Sequence, residues 1–150
     1  MREAIRASMI KMHANEGGPF AAMIVRKDRI VGRGWNRVTS TNDPTAHAEI
    51  VAIRAACQRL SRFELADCDL YTTCEPCPMC LAAIYWARIK RVYYANTRRD
   101  AAKIDFDDAM IYREIKLPVS RRAIPMKQLL RDEALVVFDA WREKPDKVAY

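Results

Sequence analysis

The chain has 150 residues, about one domain's worth, and 51% of them are hydrophobic, enough for one core; a disordered linker, a collagen-like chain and a disulfide-stapled miniprotein are excluded. Lys and Arg number 26 against 19 Asp and Glu, a net charge of +7, which invites nucleic acid but speaks only to non-specific attraction. No run reaches the ~18–20 apolar residues of a membrane span, and Met1-Arg2-Glu3 opens a charged stretch without the apolar core of a secretory leader, so the expectation is a soluble cytoplasmic protein with reduced thiols.

In chain order, Ile5, Met9 and Met12 recur at the period of a helix over 2–15, which Gly17-Gly18-Pro19 ends. Apolar runs at 20–25 and 30–36, joined by the polar Arg26-Lys27-Asp28-Arg29, read as a hairpin. Asn42-Asp43-Pro44 has the chemistry of a helix start, and the helix is expected to run to about Leu60. Residues 70–73 read as a strand, 76–87 as a helix opened by Pro78, and 91–95 as a further strand. Residues 96–103 are polar and read as a loop; 106–115 and 135–141 read as helices, with a strand at 124–129 between them. Strands separated by helices indicate a layered α/β domain with helices on both faces of one sheet.

One constellation dominates: Pro44-Thr45-Ala46-His47-Ala48-Glu49 followed by Cys74-Glu75-Pro76-Cys77-Pro78-Met79-Cys80. Cys77 and Cys80 are three apart at a helix start, so both thiols lie on one side of its first turn. The helix dipole and unpaired N–H groups there favour thiolate. His47 is expected in the first turn of the preceding helix. A strand-sized segment separates the two, so both helices can begin at one edge of the sheet and converge on one ion. A neutral imidazole and two thiolates balance Zn²⁺, and three protein ligands leave the fourth tetrahedral position for water. Glu49 and His47 would face away from each other on an ideal helix, about 200° apart, yet at a helix N-terminus both can lean toward a ligand off its end. A carboxylate beside that water can take and return a proton. Spacing alone leaves open a closed Cys₃His site using Cys74 and a redox dithiol from either CxxC; neither uses Glu49.

The pattern His-x-Glu followed by Pro-Cys-x-x-Cys resembles the zinc nucleobase deaminases of the cytidine deaminase superfamily. That resemblance implies a three-layer α-β-α sandwich around a central five-stranded mixed sheet, Zn²⁺ held by His47, Cys77 and Cys80, and Glu49 as proton shuttle. Two branches share this core, the bacterial tRNA adenosine deaminases and the bacterial guanine deaminases. Segments outside the core resemble the second: Gly17-Gly18-Pro19-Phe20-Ala21-Ala22, Ala82-Ala83-Ile84-Tyr85-Trp86-Ala87-Arg88, Asp100-Ala101-Ala102, Phe106-Asp107-Asp108, Ile111-Tyr112, Phe138, Ala140 and Trp141, and Tyr150. Ala21 and Ala82 stand where that branch has glycine.

The implied reaction is hydrolysis of guanine to xanthine and ammonia, with zinc-bound hydroxide attacking C2 and Glu49 protonating N3 and then the departing amino group. Asn36 offers an amide donor and acceptor, and Asp108 a carboxylate that only accepts, suited to guanine's N–H groups. By resemblance Asp108 and Tyr150 close the pocket, Phe20 stacks on the purine, and Ala48 is placed with them. The resemblance also implies a homodimer whose C-terminal segment, about residues 100–150, is exchanged between subunits, with Asn96-Thr97-Arg98-Arg99-Asp100 as the hinge. A free base, rather than nucleic acid, is then the expected partner. The alternatives are a tRNA adenosine deaminase, supported by the basic charge, and a zinc-stabilised binding module without catalysis.

Overall fold

A computed structural model describes residues 1–149. They form two compact units, residues 1–108 and a second from Ala109 onward; Tyr150 lies outside the described residues.

In the first unit, helix α1 (Arg2–His13) is followed by strands β1 (Ala21–Arg26) and β2 (Arg29–Trp35), a short α2 (Val38–Thr41), α3 (Ala48–Leu60), β3 (Asp69–Cys74), α4 (Pro78–Trp86), β4 (Arg91–Asn96) and α5 (Arg98–Ala102). The expected hairpin forms. Lys27 and Asp28 both take positive φ, 45° and 61°, the two-residue turn whose twist matches the flanking strands, and Arg26 pairs with Arg29. A bulge between Ile24 and Val25 shifts the register. The sheet order is β2-β1-β3-β4, antiparallel except for the β3–β4 pair. That parallel pair requires a crossover, which α4 supplies. The fold is therefore α/β with a mixed sheet.

Small residues set how closely the helices approach. Ala48, Ala52 and Ala56 recur every fourth residue along one side of α3 and face Gly32 and Gly34 of β2. A Cβ on Gly34 would stand 2.1 Å from the Ala48 carbonyl oxygen, and one on Gly32 2.4 Å from that of Ala52. The backbone of α3 thus rests directly on the strand, and its N-terminus is held at the sheet edge. Ala22, Ile24, Leu65, Cys68, Leu70, Ile84 and Ala87 complete this core.

In the second unit, α6 (Ala109–Lys116) leads through a 3₁₀ turn (Val119–Arg121) to α7 (Arg131–Glu143). Glu114 accepts the Ala123 N–H at 2.7 Å and Arg122 donates to the Leu117 carbonyl at 3.2 Å, which folds the connection back onto α6.

Four expectations are corrected. The helix expected from Asn42 begins at Ala48, because Asn42 instead ends α2 in the left-handed conformation that Asn tolerates, φ 50°. Residues 98–102 are helical rather than loop. The Thr97 hydroxyl accepts the Asp100 N–H while the Asp100 carboxylate accepts the Thr97 N–H. Residues 124–129 form no strand, and among the described residues the sheet has four strands, not five; Pro125 lacks a ladder donor and no neighbouring strand exists in that unit. His47 and Cys77 are N-caps rather than first-turn residues.

Candidate metal centre

The two N-caps bring the donors together. Both are extended rather than helical, with ψ of 155° at His47 and 168° at Cys77. Each side chain therefore projects past the end of its helix instead of along its flank. Pro78 presets the first turn of α4, which returns Cys80 to the same end. His47 Nδ1 lies 3.5 Å from Cys77 Sγ and 3.5 Å from Cys80 Sγ, and the three donor atoms all fall within 4.8 Å of one another. Tetrahedral zinc with bonds of about 2.1 Å to nitrogen and 2.3 Å to sulfur sets N and S about 3.6 Å apart. The donor set fits zinc in both chemistry and spacing.

The two sulfur atoms are shifted in opposite directions. The Cys80 S–H and the His47 ring hold the Cys77 thiol down at about 4, despite its partial burial. The same hydrogen bond to Cys77, with burial and the Glu49 charge, pushes Cys80 upward. His47 is raised, first by Cys77. A bound cation would favour the thiolate form of both sulfurs.

Glu49 stands in the first turn of α3, only 6% exposed. Burial raises its carboxyl, while donors from Thr72 and Cys80 oppose that rise. The Thr72 hydroxyl donates to Oε1 at 2.9 Å, and Oε2 lies 3.4 Å from Cys80 Sγ. Glu49 therefore leans toward the donor cluster, as expected for a helix N-terminus. Thr72 escaped the sequence reading; its signal was a polar side chain alternating inward on an otherwise buried strand.

Cys74 does not join the cluster. Its Sγ lies 3.6 Å from the Thr97 carbonyl oxygen, and burial pushes its thiol up to about 11. Among the described residues only His47, Cys77 and Cys80 form a ligating group, so the closed four-ligand alternative is not built. All five cysteines are free thiols.

The expected substrate residues fall in different settings. Asn36 is buried, 7% exposed, at the end of β2; the next residue's N–H donates to the Ala46 carbonyl at 2.9 Å, which ties Asn36 to the segment carrying His47. Phe20 is half-buried and meets Phe106 edge to face, centroids 4.8 Å apart. Asp108 is half-buried, and burial and then the Cys77 charge raise its carboxyl. Ala48 is fully buried with its side chain in the core, so only its backbone could meet a ligand. Tyr150 is outside the described residues.

Residues 1–96 match the family model described as the cytidine and deoxycytidylate deaminase zinc-binding region. Over 150 residues the chain is 50% identical to the guanine deaminase of Bacillus subtilis, covering all of this chain and 96% of that one. The solved structure of that guanine deaminase superposes with a TM-score of 0.96 over 99% of this chain and 95% of that one. The guanine deaminase of Nitrosomonas europaea, 29% identical, superposes at 0.68 over 93% of this chain and 80% of that one. A tRNA-specific adenosine deaminase of Buchnera aphidicola is 43% identical over 96 residues, 63% of this chain and 64% of that protein. The matched fold, the full-length identity and a His-Cys-Cys cluster spaced for zinc agree: the chain belongs to the zinc-binding cytidine and deoxycytidylate deaminase family.

Proposed function

We propose that the chain is a zinc-dependent guanine deaminase, hydrolysing guanine to xanthine and ammonia. The observation that carries this reading is the reach of the likeness. Identity to the Bacillus guanine deaminase runs through all 150 residues, whereas the Buchnera tRNA-specific adenosine deaminase aligns over 96. The Bacillus match takes in Asp108 and the whole second unit, which lie beyond the family model's residues 1–96.

In this reading His47, Cys77 and Cys80 hold Zn²⁺, which when bound supplies the Lewis acidity that makes water acidic enough for a carboxylate base. Glu49 accepts that proton through Oε2, while Thr72 holds Oε1 and fixes the carboxylate plane. It passes the proton to N3 of guanine and then a second to the leaving amino group. The C2–O bond forms as N3 is protonated; the second proton comes from the new C2 hydroxyl through Glu49, and the C2–N bond then breaks to release ammonia. Asn36 donates to the purine carbonyl, Asp108 accepts purine N–H, Phe20 packs on the ring, and the Ala48 N–H and Tyr150 complete the contacts. A site that pairs its buried polar groups with one base rejects analogues lacking those partners steeply.

The three-layer arrangement of the family, a single deaminase domain over 1–150 and a cytoplasmic location belong to the same proposal; five free thiols suit a reducing compartment. So does a homodimer that exchanges the C-terminal segment, about residues 100–150. The exposed apolar side chains of α6 and α7, Ile111, Ile115, Val136, Val137 and Phe138 among them, support it.

A deamination panel of guanine, guanosine, adenine, cytosine and a tRNA anticodon hairpin tests the function. Guanine alone among the free bases should be converted. Glu49→Gln should keep its zinc and lose at least about 10³-fold in kcat. Inertness on free bases with conversion of the hairpin would establish the tRNA reading. Retained zinc with no turnover on any of them would establish a binding module.

A further inference from the structure

The Asn36 amide is not free to choose which end it shows to a ligand. Its Oδ1 accepts two backbone N–H groups, Gly18 at 3.2 Å and Val38 at 3.3 Å. They come from separate segments, the turn after α1 and the first residue of α2. With the oxygen occupied from both sides, only the Nδ2 donors remain available. Both bonds are long, so the orientation depends on how firmly each segment is held.

The segment carrying Gly18 is held by Glu16. Its Oε2 accepts the indole N–H of Trp35 at 2.7 Å, its Oε1 accepts Lys11 Nζ at 2.8 Å, and its own carbonyl accepts the Ser40 hydroxyl at 2.7 Å. Lys11 also lies 4.1 Å from the centre of the Trp35 ring. Glu16 thus grips the chain on both sides of Asn36. Gly17, directly between, passes so close that a Cβ there would stand 2.1 Å from the Asn36 carbonyl oxygen. A tether this short transmits any movement of residue 16 to the Gly18 N–H.

We propose that Glu16 is a positioning residue for base recognition: it holds the turn that pins Asn36 Oδ1, so that Asn36 presents a donor only. This rests on the reading of Asn36 as the group that meets the purine carbonyl. Losing the clamp frees the amide to turn over and offer its oxygen instead. A base with an amino group in place of that carbonyl, such as 2,6-diaminopurine, is then less strongly rejected.

The test compares zinc-loaded wild type with Glu16→Ala, Trp35→Phe and Glu16→Gln on guanine and 2,6-diaminopurine. It also follows the side-chain amide resonances of Asn36 by ¹⁵N NMR, assigned with Asn36→Ala. Loss of a hydrogen-bonded anchor should raise KM for guanine about five- to tenfold, with kcat within about threefold. The preference for guanine should fall by the same factor, and the Asn36 amide pair should shift or broaden. Glu16→Gln, which keeps an acceptor for Trp35, should recover part of each effect. An unchanged KM, preference and amide signal in Glu16→Ala would overturn the proposal; Trp35→Phe decides it if Glu16→Ala does not fold. A fall in kcat alone would overturn it too. If the wild type does not deaminate guanine, the functional reading fails by itself, and the amide response of Glu16→Ala still shows whether Glu16 orients Asn36.

Discussion

Gly34 sets where the site-bearing end of α3 lies. Its missing Cβ lets α3 lie on β2, with the Ala48 carbonyl oxygen where that carbon would be. His47 caps that helix and Glu49 occupies its first turn. Gly34→Ala cannot be absorbed by a flexible side chain, because the opposing atoms are backbone. Overpacking of this kind costs about 1–3 kcal/mol, which for a chain of this length lowers Tm by roughly 2–12 °C. A thermal melt together with zinc analysis checks it, and the expected result is a lower Tm with reduced zinc occupancy; an unchanged Tm would show that α3 can slide. At this scale the sequence was legible where chemistry is concentrated. His47, Glu49, Cys77 and Cys80 are rare types in tight spacing, and their convergence needs only two helix starts at one sheet edge. Thr72, Glu16 and Gly34 were not legible, since their roles come from partners 23, 19 and 14 residues away.

Elements were readable where one local signal ruled and misread where two competed. The hairpin had a polar turn between two apolar runs and formed as expected. At Asn42 two signals shared the same residues: Asn is a good N-cap and also a good left-handed terminator, and the short α2 took it as a terminator. Polarity at 96–103 pointed to a loop, yet Thr97 and Asp100 form a capping box that holds α5 without apolar periodicity. Thr97→Ala removes the cap, worth about 1 kcal/mol, so amide exchange at Asp100 should quicken about fivefold. The cap also has a pH signature. Hydrogen bonds from Thr97 and the ion pair with Lys103 hold the Asp100 carboxyl down at about 2. A carboxyl lowered on folding stabilises above its unfolded value near 3.9, progressively less as pH falls, and not at all below about 2. The protection factor at Asp100 in the wild type, the exchange rate corrected for its intrinsic pH dependence, should therefore fall across that window, and a flat protection factor would show that the box does not hold α5.

At the scale of the molecule, the two units differ in what they bury. The first has a core of alanines and branched residues around β1 and β3. In the second, neither α6 nor α7 has a buried residue, and Val136, Val137 and Phe138 are each about two-thirds exposed or more. A unit of this size cannot stand on so little buried surface, and large contiguous apolar surface marks a contact face. A second copy of the chain is the partner that the proposed segment exchange supplies. In the first unit, Tyr85 is 75% and Trp86 69% exposed on α4. Sedimentation should give twice the 17.3 kDa of one chain. In a symmetric dimer each substitution acts twice, so Phe138→Asp should remove about 2 kcal/mol of burial per copy and weaken the dimer by roughly 10³-fold. If, as proposed, the partner's tail completes the pocket, guanine turnover should fall with dissociation and return at high protein concentration. A Phe138→Asp chain that sediments as a monomer and keeps full activity would place the complete pocket within one chain.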